Sequence, residues 1–464
     1  MEDKNQIMRN IPQVEKLLQT EEIARFIPEI GRSVVADIAR NIVAGVRAKA
    51  ENGEAVSQEG LVASIIAQCR VKRQSRIQAV VNGTGVVIHT NLGRSPLSKD
   101  LLKRLEAEMS GYCNLEYDLP GLKRGKRGGF VEELLCRLTG SEDALIVNNN
   151  AASVFLILGE FGRGREVIVS RSELIQIGGG FRLPDIMAES GAFLVEVGTT
   201  NITGIDDFRA AITEKTAMIF SSHQSNFRIQ GFTEGPALKE LASLKSKTVF
   251  FIRDLGSGNL LDGGRFPRNL DPTPRWELDQ GADLVCFSAD KLMGSCQAGI
   301  IVGGKDLVSR LRRNPLMRMM RVDKLTYFIL QETLLKFMND EIEDIALWRI
   351  MLQSKKEISG RIGRFMRMMK SCGTMDFVKR IGMRAVIGGG AMPGFEMESL
   401  GVQIDVPGAK AEEIFTDFTS AQPPVIGSIS EGRYTLDFFT ILDSDVRPLA
   451  GAACGIIARH TGRN

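Results

Sequence analysis

The sequence predicts an α/β protein: a mostly parallel sheet with helices on both faces, behind a small helical N-terminal domain and ahead of a smaller α+β C-terminal domain. Three observations carry that expectation. Between about 78 and 335, short apolar runs alternate with helical stretches; before 77 the apolar positions follow a helical period; after 336, long amphipathic helices give way to strand candidates. At 464 residues the chain exceeds what one ordinary core supports, so domains are expected at 1–77, 78–335 and 336–464.

In the first segment Val34, Ile38, Ile42 and Val46 share one helix face, and no stretch alternates as a strand would. The segment ends in the basic run Arg70-Val-Lys-Arg-Gln-Ser-Arg76, which reads as a solvated helix face, with a nucleic-acid contact as the sharper alternative. The sheet is expected from six runs: Ala144 to Val147, Glu166 to Ser170, Phe193 to Val197, Ala217 to Ser221, Val249 to Ile252 and Leu284 to Ser288. Ligands of such sheets sit at the carboxyl ends of the strands. Further on, Arg384 to Ile387, Gly401 to Val406 and Arg433 to Phe438 are strand candidates.

Composition narrows the function classes. A chain that is 43% hydrophobic and 25% charged, with 48 Gly against 15 Pro, is ordered and rich in turns rather than disordered. Net charge is only +3, so a nucleic-acid role must come from local patches. Seven cysteines without a CxxC pair and three histidines suggest neither a zinc site nor a disulfide scaffold, and point to a reducing cytoplasm. The start lacks the basic and apolar regions of a signal peptide, and no run approaches ~18 apolar residues, so a soluble, cytosolic protein is expected. Walker-type, GxGxxG and HExxH patterns are absent, which disfavours nucleotide hydrolases and dehydrogenases.

Lys291 follows the apolar run Leu284-Val-Cys-Phe. A lysine at the end of a buried strand has a lowered pKa and suits Schiff-base chemistry, although such a lysine can also simply have reached the surface. Asp254 ends the run Thr-Val-Phe-Phe-Ile-Arg-Asp, where a carboxylate can hold a protonated pyridine nitrogen. The segment Asn148-Asn149-Asn150-Ala151-Ala-Ser153 runs from a strand into a helix, whose N-terminus suits a phosphate or, more plainly, a cap. His223 follows a strand end and could stack on a cofactor ring. Arg94 stands in His-Thr-Asn-Leu-Gly-Arg, while Arg318 and Arg321, three apart, would share a helix face and could hold one anion.

Lys291, Asp254 and the Asn148 segment occur in the order and rough spacing of fold-type-I pyridoxal-phosphate enzymes. Five longer motifs are more specific. Val81-Asn-Gly-Thr-Gly-Val-Val-Ile-His-Thr-Asn-Leu-Gly-Arg94, Leu115-Glu-Tyr-Asp-Leu, Val147-Asn-Asn-Asn-Ala-Ala-Ser, Ile229-Gln-Gly-Phe-Thr and Gln297-Ala-Gly-Ile-Ile-Val-Gly closely resemble the bacterial selenocysteine synthases, the L-seryl-tRNA(Sec) selenium transferases. That resemblance runs from the helical segment to Pro424-Val-Ile-Gly.

The resemblance implies a fold-type-I homodimer, assembled in this family into a ring of dimers, with pyridoxal 5'-phosphate as cofactor. It implies conversion of seryl-tRNA(Sec) to selenocysteinyl-tRNA(Sec) through an aminoacrylyl intermediate, with selenophosphate as selenium donor. The helical N-terminal domain would grip the tRNA. On matching positions Lys291 is the Schiff-base lysine, Asp290 its neighbour in the same motif, and Arg94, Arg318 and Arg321 line the site for the anionic donor. The chain departs from the family pattern at Ser295-Cys296, where Gly-Pro is usual, and at Phe439, where Arg is common. Two other readings are a related pyridoxal-phosphate lyase acting on a small amino acid or amino sugar acid, and a non-catalytic RNA-binding protein using Arg70–Arg76 and Lys123–Arg127.

Overall fold

The computed structural model of the chain describes residues 11–51, 57–261 and 270–462. It divides into two compact units, residues 1–80 with 419–425, and residues 81–418 with 426–464. In the first, helices α1 (Arg32–Glu51) and α2 (Gln58–Gln74) supply buried rows at every fourth position: Val35, Ala39 and Val43 from α1, and Leu61, Ile65 and Cys69 from α2. These rows close over Leu17, Ile23 and Phe26. The expected row Val34, Ile38, Ile42 and Val46 is half-buried and flanks the fully buried one, because a core-facing helix stripe spans more than one row. Arg70, Lys72 and Arg76 are exposed at the end of α2, whereas Arg73 lies 3.5 Å from Glu29 and over the Phe26 ring.

The second unit is built on a seven-stranded sheet. Its strands are β1 (Asp143–Val147), β2 (Glu166–Ser170), β3 (Phe193–Val197), β4 (Thr216–Ser222), β5 (Phe250–Gly256), β6 (Leu284–Ser288) and β7 (Gly299–Gly303), in spatial order β1-β7-β6-β5-β4-β2-β3. The six expected runs are β1 to β6, with the fifth reaching four residues further, to Gly256. β7 was not expected; it lies antiparallel between β6 and β1, while the neighbours β6-β5-β4-β2-β3 pair in parallel. Several central strands are buried along their whole length, so they read as continuous apolar runs.

Around this sheet stand α3 (Lys99–Met109), α4 (Gly129–Thr139), α5 (Asn150–Ile157), α6 (Pro274–Asp279), α7 (Lys305–Arg313), the short α8 (Met317–Met320) and α9 (Lys324–Met338). The C-terminal third adds α10 (Lys355–Ser371), α11 (Val446–Thr461) and an antiparallel sheet. Its strands are β8 (Val378–Gly388), β9 (Ala391–Ile404), β10 (Ser428–Ser430) and β11 (Arg433–Asp437), in order β8-β9-β11-β10. The three strand candidates of this region fall within β8, within and just past β9, and on β11. A disulfide joins Cys372, at the end of α10, to Cys454 on α11; it is a single bridge rather than a scaffold, and its partners, 82 residues apart, leave no local signature. Among the described residues no helix is long and apolar enough to cross a membrane.

Candidate active site around Lys291

The site forms at the carboxyl ends of β4, β5 and β6. Strand β5 ends in Asp254-Leu-Gly-Ser-Gly, and this turn hooks onto the segment after β6, since the Leu292 N–H donates to the Ser257 carbonyl at 2.9 Å. Gly258 (φ +69°) makes the approach possible: a Cβ there would lie 2.5 Å from the Ser288 carbonyl oxygen. On the other side, the turn Gly93-Arg94-Ser95 clamps the same segment. Ser95 Oγ donates to the Lys291 carbonyl at 2.8 Å, and Arg94, in a left-handed conformation (φ +62°), places its guanidinium 2.5 Å from Asp290. Arg94 and Asp290 are thus brought directly beside Lys291.

Burial holds the Lys291 ammonium below the usual lysine range, against the opposing pull of Asp254 and Asp290. Burial likewise pushes the Asp254 carboxyl up, although Asn150 and Lys291 oppose it. Asp254 Oδ1 accepts from Asn150 Nδ2 at 2.8 Å and from the Gly256 N–H at 3.1 Å. Cys286 faces Asp254 in the strand register; burial, and then the adjacent carboxylate, pushes its thiol well up, so it stays a neutral neighbour.

Helix α5 opens beside this pair. Asn149, in extended conformation, caps it by accepting from the Ala152 N–H at 2.9 Å, so its side chain serves its own helix. The first-turn N–H groups of Asn150 and Ala151 precede any intrahelical partner and are the ones available to an anion. Ser153 lies one turn further in, fully buried, with its hydroxyl toward Gly299 on β7: a Cβ at Gly299 would lie 2.4 Å from it. His223 follows β4; its N–H donates to the Asp254 carbonyl at 2.8 Å and its Nε2 lies 3.2 Å from Asp271 Oδ1.

Arg318 and Arg321 line a different cavity, of about 410 Å3, with Arg127, Arg312 and Tyr327. Its connection to the first site is the Asn148 N–H, which donates to the Met320 carbonyl at 2.9 Å and ties α8 to the segment that opens α5. Within one chain, therefore, the structure gathers Lys291, Asp290, Arg94, Asp254, Asn150 and His223, and sets Arg318 and Arg321 one loop away. Ser295 and Cys296 turn from Lys291 toward α9: Ser295 Oγ is 3.0 Å from Thr333 Oγ1, and Cys296 Sγ is 3.8 Å from the Thr326 carbonyl. Phe439 is a core side chain.

A family model described as L-seryl-tRNA selenium transferase matches residues 80–442, and a second, selenocysteine synthase N terminal, matches residues 8–47. The chain belongs to this family. Among its relatives, the L-seryl-tRNA(Sec) selenium transferase of Geobacter sulfurreducens is 40% identical over 456 residues, 96% of this chain and 98% of its own length. That of Campylobacter concisus is 40% identical over 445 residues, with 95% and 97% covered. Among solved structures, D-glucosaminate-6-phosphate ammonia-lyase matches with a TM-score of 0.58 at 16% identity, covering 84% of this chain and 99% of its own; that likeness is one of fold alone. The mostly parallel sheet covered by helices is the α/β fold expected from the sequence, and it is shared with that solved structure.

Sequence reasoning missed Asp271, Ser95, Ser257 and the glycine turn Gly388-Gly389-Gly390, whose last residue would carry a Cβ 3.2 Å from Lys291 Nζ. The Gly-rich run was visible; its place over a lysine a hundred residues away was not.

Proposed function

We propose that the site around Lys291 carries out the family's reaction, with the residues in the roles given below. The enzyme converts L-seryl-tRNA(Sec) to L-selenocysteinyl-tRNA(Sec), with selenophosphate as selenium donor and pyridoxal phosphate as cofactor. The observation that carries the reading is that Lys291 and Asp254, both half-buried, stand together at the sheet's carboxyl edge with their charges opposed by desolvation, in a chain matched to this family over residues 80–442.

The residues fit the cofactor. Asn150 Oδ1, Ser257 Oγ and Asp290 Oδ1 are buried with no hydrogen-bond partner, as befits a pocket built to receive a polar group. When bound, pyridoxal phosphate supplies an electron-withdrawing ring that stabilises negative charge at the α-carbon of an amine joined to it. Asp254 would hold the ring-nitrogen proton, and Asn150 keeps that carboxylate in place. The first turn of α5, with Asn149 as its cap, would take the phosphate through the N–H groups of Asn150 and Ala151, and Ser153 packs behind them. His223 would lie against the ring face. Lys291 would anchor the cofactor through its amine; freed by the incoming seryl amine, and with a lowered pKa, it would take the α-proton and pass it to the departing β-hydroxyl, which would leave as water. Asp290 orients Arg94, which with Arg318 and Arg321 would bind the anionic selenium donor.

The helical domain 1–77 would grip the tRNA, which the exposed Arg70, Lys72 and Arg76 support, with the rest divided into a cofactor domain, 78–335, and a smaller domain, 336–464. We further propose a cytoplasmic homo-oligomer, a dimer at least. Tyr112, Tyr117, Leu119, Leu122 and Phe130, all exposed within one segment, support that reading. Incubating the holoprotein with seryl-tRNA(Sec) and selenophosphate tests the function. Selenocysteinyl-tRNA(Sec) is expected from the native chain, with both the product and the visible band of the bound cofactor lost in Lys291→Ala. Product from Lys291→Ala, or a persistent band, would remove Lys291 from its role.

A further inference from the structure

Asp271 precedes α6 in a loop held from behind, where Asn259 Nδ2 donates to the Asp271 carbonyl at 2.7 Å. Both residues are buried, with Asp271 at 7% exposure and Asn259 at 1%. The two carboxylate oxygens of Asp271 go to different parts of the molecule. Oδ1 lies 3.2 Å from His223 Nε2, and Oδ2 accepts from the Met392 N–H at 3.2 Å. Met392 stands at the start of β9, just past the tip of the β8–β9 hairpin.

That tip forms a wall of the Lys291 pocket. Gly388, Gly389 and Gly390 all have left-handed φ values, of 74°, 61° and 77°, and Met392, a residue with a Cβ, has φ 47°. A Cβ on Gly388 would lie 2.5 Å from Val86 Cγ1, on Gly389 2.3 Å from Ile88 Cγ2, and on Gly390 3.2 Å from Lys291 Nζ. Bare backbone therefore presses between the Val86–Ile88 segment and the lysine. Such a conformation at Met392 persists only where neighbouring contacts hold it.

We propose that Asp271 is a positioning residue of the Lys291 site, whose carboxylate fixes the His223 imidazole with one oxygen and the hairpin tip over Lys291 with the other. A carboxylate is suited to this place because it accepts two hydrogen bonds on separate oxygens and donates none. Asparagine could accept from one partner only, and would turn its NH2 toward the other partner's N–H. Because Oδ1 only accepts, His223 Nε2 carries the proton; with its main-chain N–H on the Asp254 carbonyl, the residue is held at both ends. Asp271 also adds negative charge near Lys291.

The proposal rests on Lys291 holding the cofactor, and Lys291→Ala separates the two: a band that persists there sinks that reading, independently of Asp271. Given loss of the band in Lys291→Ala, holo Asp271→Asn is expected to show a visible band that titrates at lower pH. Its kcat should fall by about 10- to 100-fold, with KM for seryl-tRNA changed by less than about twofold. A band and titration equal to the native enzyme's, or a lower melting temperature as the sole change, overturns the proposal. Should Asp271→Asn not fold, His223→Gln and His223→Asn decide. Glutamine places an N–H close to the position of imidazole Nε2 and can still reach Asp271, whereas asparagine cannot. Both variants lose the ring that would lie on the cofactor, so the two are compared with each other: a band that titrates closer to the native pH in His223→Gln than in His223→Asn supports the clamp, and equal titration of the two overturns it.

Discussion

Arg253 and Asp254 are consecutive on β5, and the two faces of the strand treat their charges differently. On one face the Arg253 guanidinium grips Glu277 with two hydrogen bonds, at 2.8 and 3.0 Å, and also reaches Ser221, whose hydroxyl donates to Glu173 at 2.9 Å. Arg253 and Glu277 are 4% and 0% exposed, and neither has a buried side-chain atom without a hydrogen-bond partner. On the other face Asp254 has Asn150, the Gly256 N–H and a lysine held below its usual pKa, beside buried polar atoms with no partner. A closed network of this kind specifies a structure; an incompletely satisfied one, at a strand's carboxyl end, is an arrangement that waits for a ligand.

Breaking the closed face should have the largest effect. Arg253→Met leaves Glu277 as an uncompensated buried carboxylate and should lower the unfolding free energy by about 3–5 kcal/mol, measured by urea unfolding. A loss below about 1 kcal/mol would mean that water reaches the network. Asp254→Asn should behave in the opposite way, with roughly hundredfold slower turnover and no loss of thermal stability; equal falls in both would erase the contrast between the faces. Asn150→Ala removes one donor from that carboxylate, and the cofactor should dissociate roughly tenfold more readily, read from the visible band on dilution.

The smallest expected effect concerns pH. Lys291 binds its proton more weakly in the folded chain than in the unfolded one, chiefly because of burial. The resulting penalty on the cofactor-free fold is complete below the lowered folded pKa and fades as pH rises toward about 10.5, the unfolded value. Lys291→Met should therefore raise the melting temperature of the cofactor-free protein more at pH 7 than near pH 10. An equal gain at both values would show that Lys291 does not report the polarity of its face.

Particular residues show why parts of the molecule could be read early. β1 to β6 were legible because a strand covered on both sides must be apolar throughout, and helical stretches separate one such run from the next. Lys291 and Asp254 were legible because a charge at the end of an apolar run is a local contrast. β7 was not: Gly299–Gly303 is as apolar as its neighbours, and nothing in such a run encodes direction. Asp271 was equally hidden, since an acid in a loop becomes informative only when His223 and Met392 are found on its two oxygens.

What the sequence determined by itself was the succession of elements, the presence of a lysine and an acid at the ends of apolar runs, and, through long motifs, the family. Those features depend on periodicity and on short-range order along the chain. Only the tertiary structure decided that Arg94 meets Asp290, that Arg318 and Arg321 gather in a cavity one loop away, and that a triglycine hairpin tip walls the lysine. Each of these depends on strands and loops far apart in sequence arriving at one edge of the sheet, and distances of that kind are set by packing.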